Sequence, residues 1–305
     1  MIPPAYYARG LLHQLLPYRI ANTRRARLLD TAADHPDHQE IEWRVAYYNK
    51  LVDRFDASTA PRVSEISRKK SRYYIDLDEF SRGFGPDRCL NYLFGDVITV
   101  PEVPAIVKSR PIGPDNANSV ILNLDKLRHF NWSSDPLPFR KKKDAAVWRG
   151  TPINEQRKAL VRAYYHHPRF DIGHTRGEVD DLAPKAALSH AAQKQYKFFL
   201  SLEGYDVATN LKWGMASNML VMSPKLHFET WFMEGRLEPG KHFVLLKDDL
   251  SDLEDKVDYY TQHTDDAEEI IQNASDWVAQ FADPLKERII ANRVLERYFR
   301  LSGQL

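Results

Sequence analysis

From residue 145 onward the chain alternates short apolar runs with helix-forming stretches, and that alternation restricts the fold more than any other feature. The runs at 145–148, 169–173, 197–202, 219–222 and 242–246 have strand length and are separated by turn residues or helix formers. Helices are expected over 154–165 and 208–216. A third begins at Ser251, where Glu254 completes a Ser-x-x-Glu capping box. Strands spaced by helices demand right-handed crossovers, so this half predicts a parallel, doubly wound α/β sheet. Two helices close the chain. Ala267, Ile270, Ile271, Ala274, Val278 and Phe281 share one face, and Pro284 breaks that helix. Leu285, Ile289, Val294, Tyr298 and Leu301 form the next face, which Gly303 can end.

The first half is less regular. Helices are expected over 6–16 and 39–55, and strands over 73–75 and 119–122. Residues 96–110, interrupted by Pro101 and Pro104, read as strand and loop, and 133–143 as a linker rich in proline and charge. With 305 residues, the chain is long enough for two domains, placed at 1–143 and 144–284, with the helix 285–305 open to packing back on the first.

Composition narrows the class. Hydrophobic residues at 43% and charged residues at 28% suit a soluble globular protein. The single cysteine, Cys89, excludes an intramolecular disulfide and points to a reducing compartment. No apolar stretch approaches the ~20 residues of a membrane span, and Met1-Ile2-Pro3-Pro4-Ala5-Tyr6 has no basic segment leading into an apolar one. A cytoplasmic location is expected, with a peripheral position on the inner face of the membrane left open. The formal charge of +1 conceals an asymmetry: residues 1–150 hold 24 Lys and Arg against 18 Asp and Glu. A basic first half can attract an anionic acceptor such as a phosphorylated glycolipid.

Three segments can carry chemistry. In Phe199–Trp213 a buried strand ends at Gly204, turns, and opens a helix whose first turn holds small and polar residues. Free N–H groups and the helix dipole make such a corner an anion site suited to a diphosphate, with Lys212 adding charge, although an ordinary strand–loop–helix corner reads the same way. Trp148-Arg149-Gly150-Thr151, with Arg157 six residues beyond Thr151, repeats the arrangement with a hydroxyl and a guanidinium. Two basic helix N-termini on one sheet suggest a nucleotide-diphosphate site at the carboxyl edge of the strands. In the third segment Asp96 follows Gly95 at the start of an extended stretch, where it can act as a general base or simply form a turn.

Taken in order, Phe94-Gly95-Asp96, Lys108-Ser109-Arg110-Pro111, Asn118-Ser119-Val120, Arg128-His129-Phe130, Trp148-Arg149-Gly150, Tyr196-Lys197, Glu203-Gly204, Lys212-Trp213, Glu229-Thr230-Trp231, His242-Phe243-Val244 and Asp249-Leu250-Ser251 resemble glycosyltransferase family 90. The resemblance runs from about residue 94 to the C-terminus and is densest after Lys194. It implies a GT-B fold, with two Rossmann-like domains whose parallel sheets face a cleft: an acceptor-side domain first and a nucleotide-sugar domain second. It also implies inverting, metal-independent transfer from a UDP-sugar to a hydroxyl of a lipopolysaccharide or capsule precursor, without a cofactor. The family's catalytic aspartate falls on Asp96 and its donor-binding hydroxyl and arginine on Thr151 and Arg157. Its nucleotide loop falls on Val207 to Lys212, which adds Val207, Ala208, Thr209, Asn210 and Lys212 to Gly204 as expected donor-binding residues. Lys108, Arg110, Arg149 and Glu229 stand where donor or acceptor contacts can form. Lys212 replaces an arginine of the eukaryotic members, and Ala192 an aspartate.

Rival readings come from other motifs. Asp76-Leu77-Asp78 after the strand expected at 73–75 imitates the Asp-x-Asp metal motif of GT-A transferases, which would make the enzyme metal-dependent. His166-His167 lacks a third ligand at metal spacing. Arg24-Arg25-Ala26-Arg27 near Tyr6, Tyr7 and Tyr18 has no nucleic-acid module beside it and suits a membrane surface or solvent. A non-catalytic, membrane-associated glycolipid-binding scaffold is the rival from outside the enzymes; it would not bind UDP.

Overall fold

The computed structural model describes residues 4–32, 34–130 and 134–305. In chain order the elements are α1 (Pro4–Gln14), α2 (Tyr18–Asp30), α3 (His38–Tyr48), α4 (Ser71–Ser81), β1 (Tyr92–Leu93), β2 (Ala105–Val107), β3 (Ser109–Pro111), β4 (Ser119–Ile121) and α5 (Lys126–His129). There follow β5 (Lys143–Gly150), α6 (Glu155–Tyr164), β6 (Asp171–His174), α7 (His190–Gln193), β7 (Tyr196–Leu200), α8 (Thr209–Met215), β8 (Leu220–Ser223) and β9 (Phe228–Thr230). The chain ends with β10 (Val244–Leu245), α9 (Leu253–Gln262), α10 (Thr264–Ala279) and α11 (Pro284–Leu301). Two compact units result: Met1–Arg128 with Phe228–Phe232 and Asp283–Leu305, and His129–His227 with Met233–Ala282.

The second unit holds the expected parallel sheet, in the order β10-β8-β7-β5-β6. The chain starts at β5, steps to β6, returns to β7 on the other side of β5, and proceeds outward through β8 to β10. This is the doubly wound order in which the winding direction reverses between the first and third strands, here β5 and β7. Val147, Phe198, Phe199 and Leu200 are wholly buried, as expected for strands covered on both faces. Leu160, Val161, Leu253 and Val257 of α6 and α9 close the core. The capping box expected at Ser251 does not form. Asp252 is the N-cap without a side-chain bond, and Glu254 lies 3.3 Å from His167 instead.

The first unit combines a parallel sheet β1-β2-β4 with an antiparallel pair, β3 and β9, in which Arg110 lies opposite Glu229. Residues 73–75, expected as a strand, lie in α4. Tyr73, Tyr74, Leu77 and Phe80 are buried at helical spacing there, and packing of that spacing overrides the β-favouring side chains. The helix expected over 39–55 stops at Tyr48 because Arg110 occupies its last turn: Nη2 donates to Tyr47 O at 2.8 Å and Nη1 to Tyr48 O at 3.3 Å. Ser133, the first residue of the proposed linker, lies outside the described residues. Downstream of it, Lys142 is held by Asp135 at 2.8 Å and donates to Lys194 O, inside the second unit.

A buried polar node joins α3 to α11. Arg44, fully buried, donates to Glu287 Oε1 at 2.5 Å and Oε2 at 3.1 Å, and Trp231 Nε1 donates to the same carboxylate at 2.5 Å. The Tyr48 ring stacks on Trp231 at 3.9 Å, and its hydroxyl donates to Trp231 O at 2.7 Å. Removing one member of such a set leaves a buried charge without its counter-ion, at a cost of about 3–5 kcal/mol. Glu287→Ala should lower the unfolding free energy by about that amount in urea titrations, whereas Glu287→Gln, which still accepts a hydrogen bond, should lose less. Equal stability of Glu287→Ala and wild type would show that the node contributes little.

Candidate active site

The strand order marks a place before any residue is named. In open α/β sheets ligands bind beyond the carboxyl ends of the strands at the reversal point. In the second unit that point is flanked by the segments following β5 and β7, the two segments singled out from the sequence. Residue 150 pairs with His174 at this edge, and Leu200 pairs with Met222.

The two segments are stitched together by α6. Asn154 is the N-cap: its Oδ1 accepts from Arg157 N at 3.0 Å, and its Nδ2 donates to Glu203 O and Gly204 O at 3.1 and 3.0 Å. Arg157 donates from Nη1 to Thr151 O at 3.1 Å and from Nη2 to Leu202 O at 2.7 Å. A Cβ on Gly204 would stand 3.3 Å from the Arg157 guanidinium, so the glycine lets the arginine pass. Thr151 Oγ1 accepts from Arg176 Nε at 2.9 Å. Gly204 N donates to Asp206 O at 2.9 Å, closing a tight turn that leaves the Tyr205 side chain exposed.

Beyond that turn Val207 and Ala208 are buried, and Ala208 caps α8 through its backbone alone. Asn210 faces back to β7, donating to Leu200 O at 3.0 Å, with its Oδ1 3.2 Å from Ser201 Oγ; Thr209 is half-buried. Lys212 is engaged elsewhere: it is almost wholly buried and lies 2.5 Å from the equally buried Glu234. Arg149 pairs with Asp171 at 2.5 Å and donates to Ala186 O at 3.0 Å, bracing β5 against β6. His174, buried at the end of β6, has neither ring nitrogen hydrogen-bonded among the described residues.

The remaining candidates lie in the first unit and form two clusters. Asp96 follows Gly95, whose φ of +124° suits glycine. Its Oδ1 accepts from the buried Lys108 Nζ at 2.5 Å and lies 3.9 Å from Arg128, whereas no described residue hydrogen-bonds Oδ2. Burial alone would raise this carboxyl, but Lys108, Arg128 and Lys70 outweigh it and hold it below the usual carboxylate range. Asp125, which the sequence reading passed over, belongs to the same electrostatic neighbourhood. It is wholly buried at φ +57°, its nearest cation is Arg72 at 3.3 Å, and burial pushes its carboxyl upward. In the second cluster Arg110 Nε donates to Glu229 Oε1 at 2.7 Å inside the β3–β9 pair, and Tyr47 donates to the other oxygen.

The Asp-x-Asp rival meets a different geometry. Asp76, wholly buried, accepts from Tyr6 at 2.8 Å and Lys126 N at 3.0 Å. Asp78 forms a fork with Arg82, at 3.1 Å through each oxygen, and sits 3.3 Å from His13. The two carboxylates, both on α4, thus serve separate partners outside it. Among the described residues no three His, Cys, Asp or Glu side chains group as metal ligands, and no helix is long and apolar enough to cross a membrane.

The family model described as glycosyl transferase family 90 matches residues 120–296. The chain is 43% identical to the O-glucosyltransferase LpsA of Dichelobacter nodosus, over 99% of this chain and 92% of that protein. It is 26% identical to human protein O-glucosyltransferase 3, over 52% of this chain but only 32% of that one. A 30% match to uncharacterized protein 035R of invertebrate iridescent virus 3 covers 43% of this chain and 11% of the viral one. The chain therefore belongs to glycosyltransferase family 90 and is a glycosyltransferase.

Proposed function

We propose that this chain moves a glucosyl group from UDP-glucose to a hydroxyl of a cell-surface glycan precursor, lipopolysaccharide or capsule, with inversion and without a metal. The observation that supports it best is the reversal point of the parallel sheet, where Asn154 and Arg157 bind together the segments following β5 and β7. The N-termini of α6 and α8 stand at that edge, and their dipoles favour an anion. The glucosyl assignment follows the name of the Dichelobacter nodosus relative. We further propose a GT-B arrangement, with the second unit holding the donor and the first supplying the base, and a cytoplasmic location.

In this reading Asp96 takes the acceptor proton through Oδ2. Lys108 holds Oδ1, so the carboxylate stays ionised and oriented. The nucleophile displaces UDP in one step, and the proton passes from the acceptor oxygen to Asp96. Thr151, Arg157 and the first-turn N–H groups of α8 stabilise the diphosphate as it leaves. Lys212 keeps α8 in place through Glu234, and the exposed Tyr205 ring offers a stacking surface to the uracil.

Four outcomes test this. Asp96→Asn should fold and bind UDP normally but transfer at least ~10²-fold more slowly, the usual contribution of a positioned base; transfer near the wild-type rate would remove Asp96 from the mechanism. Lys108→Met takes away the cation that lowers the Asp96 carboxyl, so the acid limb of its kcat/KM profile should move to higher pH. Arg157→Ala should weaken UDP binding by about 1.5–3 kcal/mol in calorimetry, the worth of a hydrogen bond to a charged group. Unchanged affinity would place the diphosphate elsewhere. Activity assayed after EDTA treatment should persist; loss restored by manganese would return the metal question to Asp76 and Asp78.

A further inference from the structure

The first helix is amphipathic in an inverted sense. α1 turns its polar side inward: Tyr6 donates to Asp76 at 2.8 Å, and His13 lies 3.3 Å from Asp78. Between them Gly10 lies so close to Ile75 that an added Cβ would sit 2.8 Å from its side chain. The apolar side therefore points away from the unit. Leu11, Leu12 and Leu15 are 60%, 70% and 78% exposed, and Ile20 at the start of α2 is 46% exposed. Four large apolar side chains in ten residues make a patch, whereas single exposed ones need no explanation.

Charge accompanies the patch. From Pro4 to Leu29 the chain has five arginines and no acidic residue. Arg25 is committed to the unit, lying over the Phe84 ring at 4.2 Å, but Arg9, Arg19, Arg24 and Arg27 are exposed. A second copy of this chain is a poor occupant, because a two-fold contact through this face would set arginines against arginines. A surface that takes leucines into an apolar layer and arginines onto phosphates meets both requirements.

We propose that α1 and the start of α2 form a docking surface for a bilayer rich in anionic phospholipid. The leucines enter the boundary between headgroups and acyl chains, and the arginines contact the headgroup phosphates. The surface lies on elements that contribute nothing to the proposed donor site, so its test does not depend on transfer activity.

The experiment is co-sedimentation of the purified full chain with phosphatidylcholine vesicles, with and without phosphatidylglycerol. Binding should require phosphatidylglycerol and weaken with added salt. It should fall by more than ~10-fold in Arg19→Glu/Arg24→Glu/Arg27→Glu, given the contribution of each cation near such a surface. Leu11→Ser/Leu12→Ser/Leu15→Ser should lose binding as well, and Leu12→Ser alone should weaken it if the triple variant melts early. Absence of binding to phosphatidylglycerol vesicles, or equal binding by the leucine variants, would overturn the proposal. So would a dimer in sedimentation equilibrium that the leucine variants dissociate, because the patch would then belong to a second copy.

Discussion

The reversal of winding direction between β5 and β7 is the constraint on which the second unit's architecture depends. A parallel sheet whose crossovers leave one central strand in both directions must separate two adjacent loops at its carboxyl edge. Left open, that gap would expose several backbone carbonyls to one another. Asn154 and Arg157 fill it with donors: the amide of one and the guanidinium of the other satisfy carbonyls at residues 151, 202, 203 and 204. A positive charge is thus built into the place where the fold favours a ligand. Residue 204 is tightly enclosed there: an added Cβ would stand 3.0 Å from the Ile153 side chain and 3.3 Å from the same guanidinium.

Ion pairs serve two purposes in this molecule, and burial distinguishes them. Arg110 with Glu229, Lys212 with Glu234 and Asp78 with Arg82 are enclosed pairs that hold elements in register. Asp96 differs. It retains partial exposure, Lys108 and Arg128 approach one of its oxygens, and no described residue hydrogen-bonds the other. Asp125 is the converse, a carboxylate shut away from water with Arg72 as its nearest cation. Lys108, Arg128 and Lys70 lower the Asp96 carboxyl against burial, while Asp96 helps to raise Asp125, so the two carboxylates belong to one set of interacting charges.

Much of the second unit was legible in the sequence because continuous apolar runs bounded by glycine or proline have few alternatives. All five of its strands and α6, α8 and α10 lie where periodicity puts them, give or take a few residues, as does α11 of the first unit. The first unit was less legible because its order depends on distant partners. Nothing local in Tyr73-Tyr74-Ile75 announces a helix; Tyr6, 70 residues before Asp76, and Lys126 complete its surroundings. The end of α3 is decided by Arg110, more than 60 residues away. The family motif marked Lys212 by position, but its burial against Glu234 could be seen only in three dimensions. Asp125 gave no signal beyond standing three residues before Arg128, within a motif already noted.

The way the chain is shared between its units has a consequence for synthesis. The first unit borrows Phe228–Phe232 for its antiparallel pair and Asp283–Leu305 for α11, so its core holds the first helices and the last. On a ribosome the opening residues would emerge early yet wait for Ile289, Val294 and Tyr298 before their apolar faces could be covered. The second unit is interrupted only by a five-residue excursion and can gather most of its sheet while synthesis continues. Maturation is therefore expected to run from the interior of the sequence outward, and any cut made to isolate half of the molecule would strip the first unit of its closing helix.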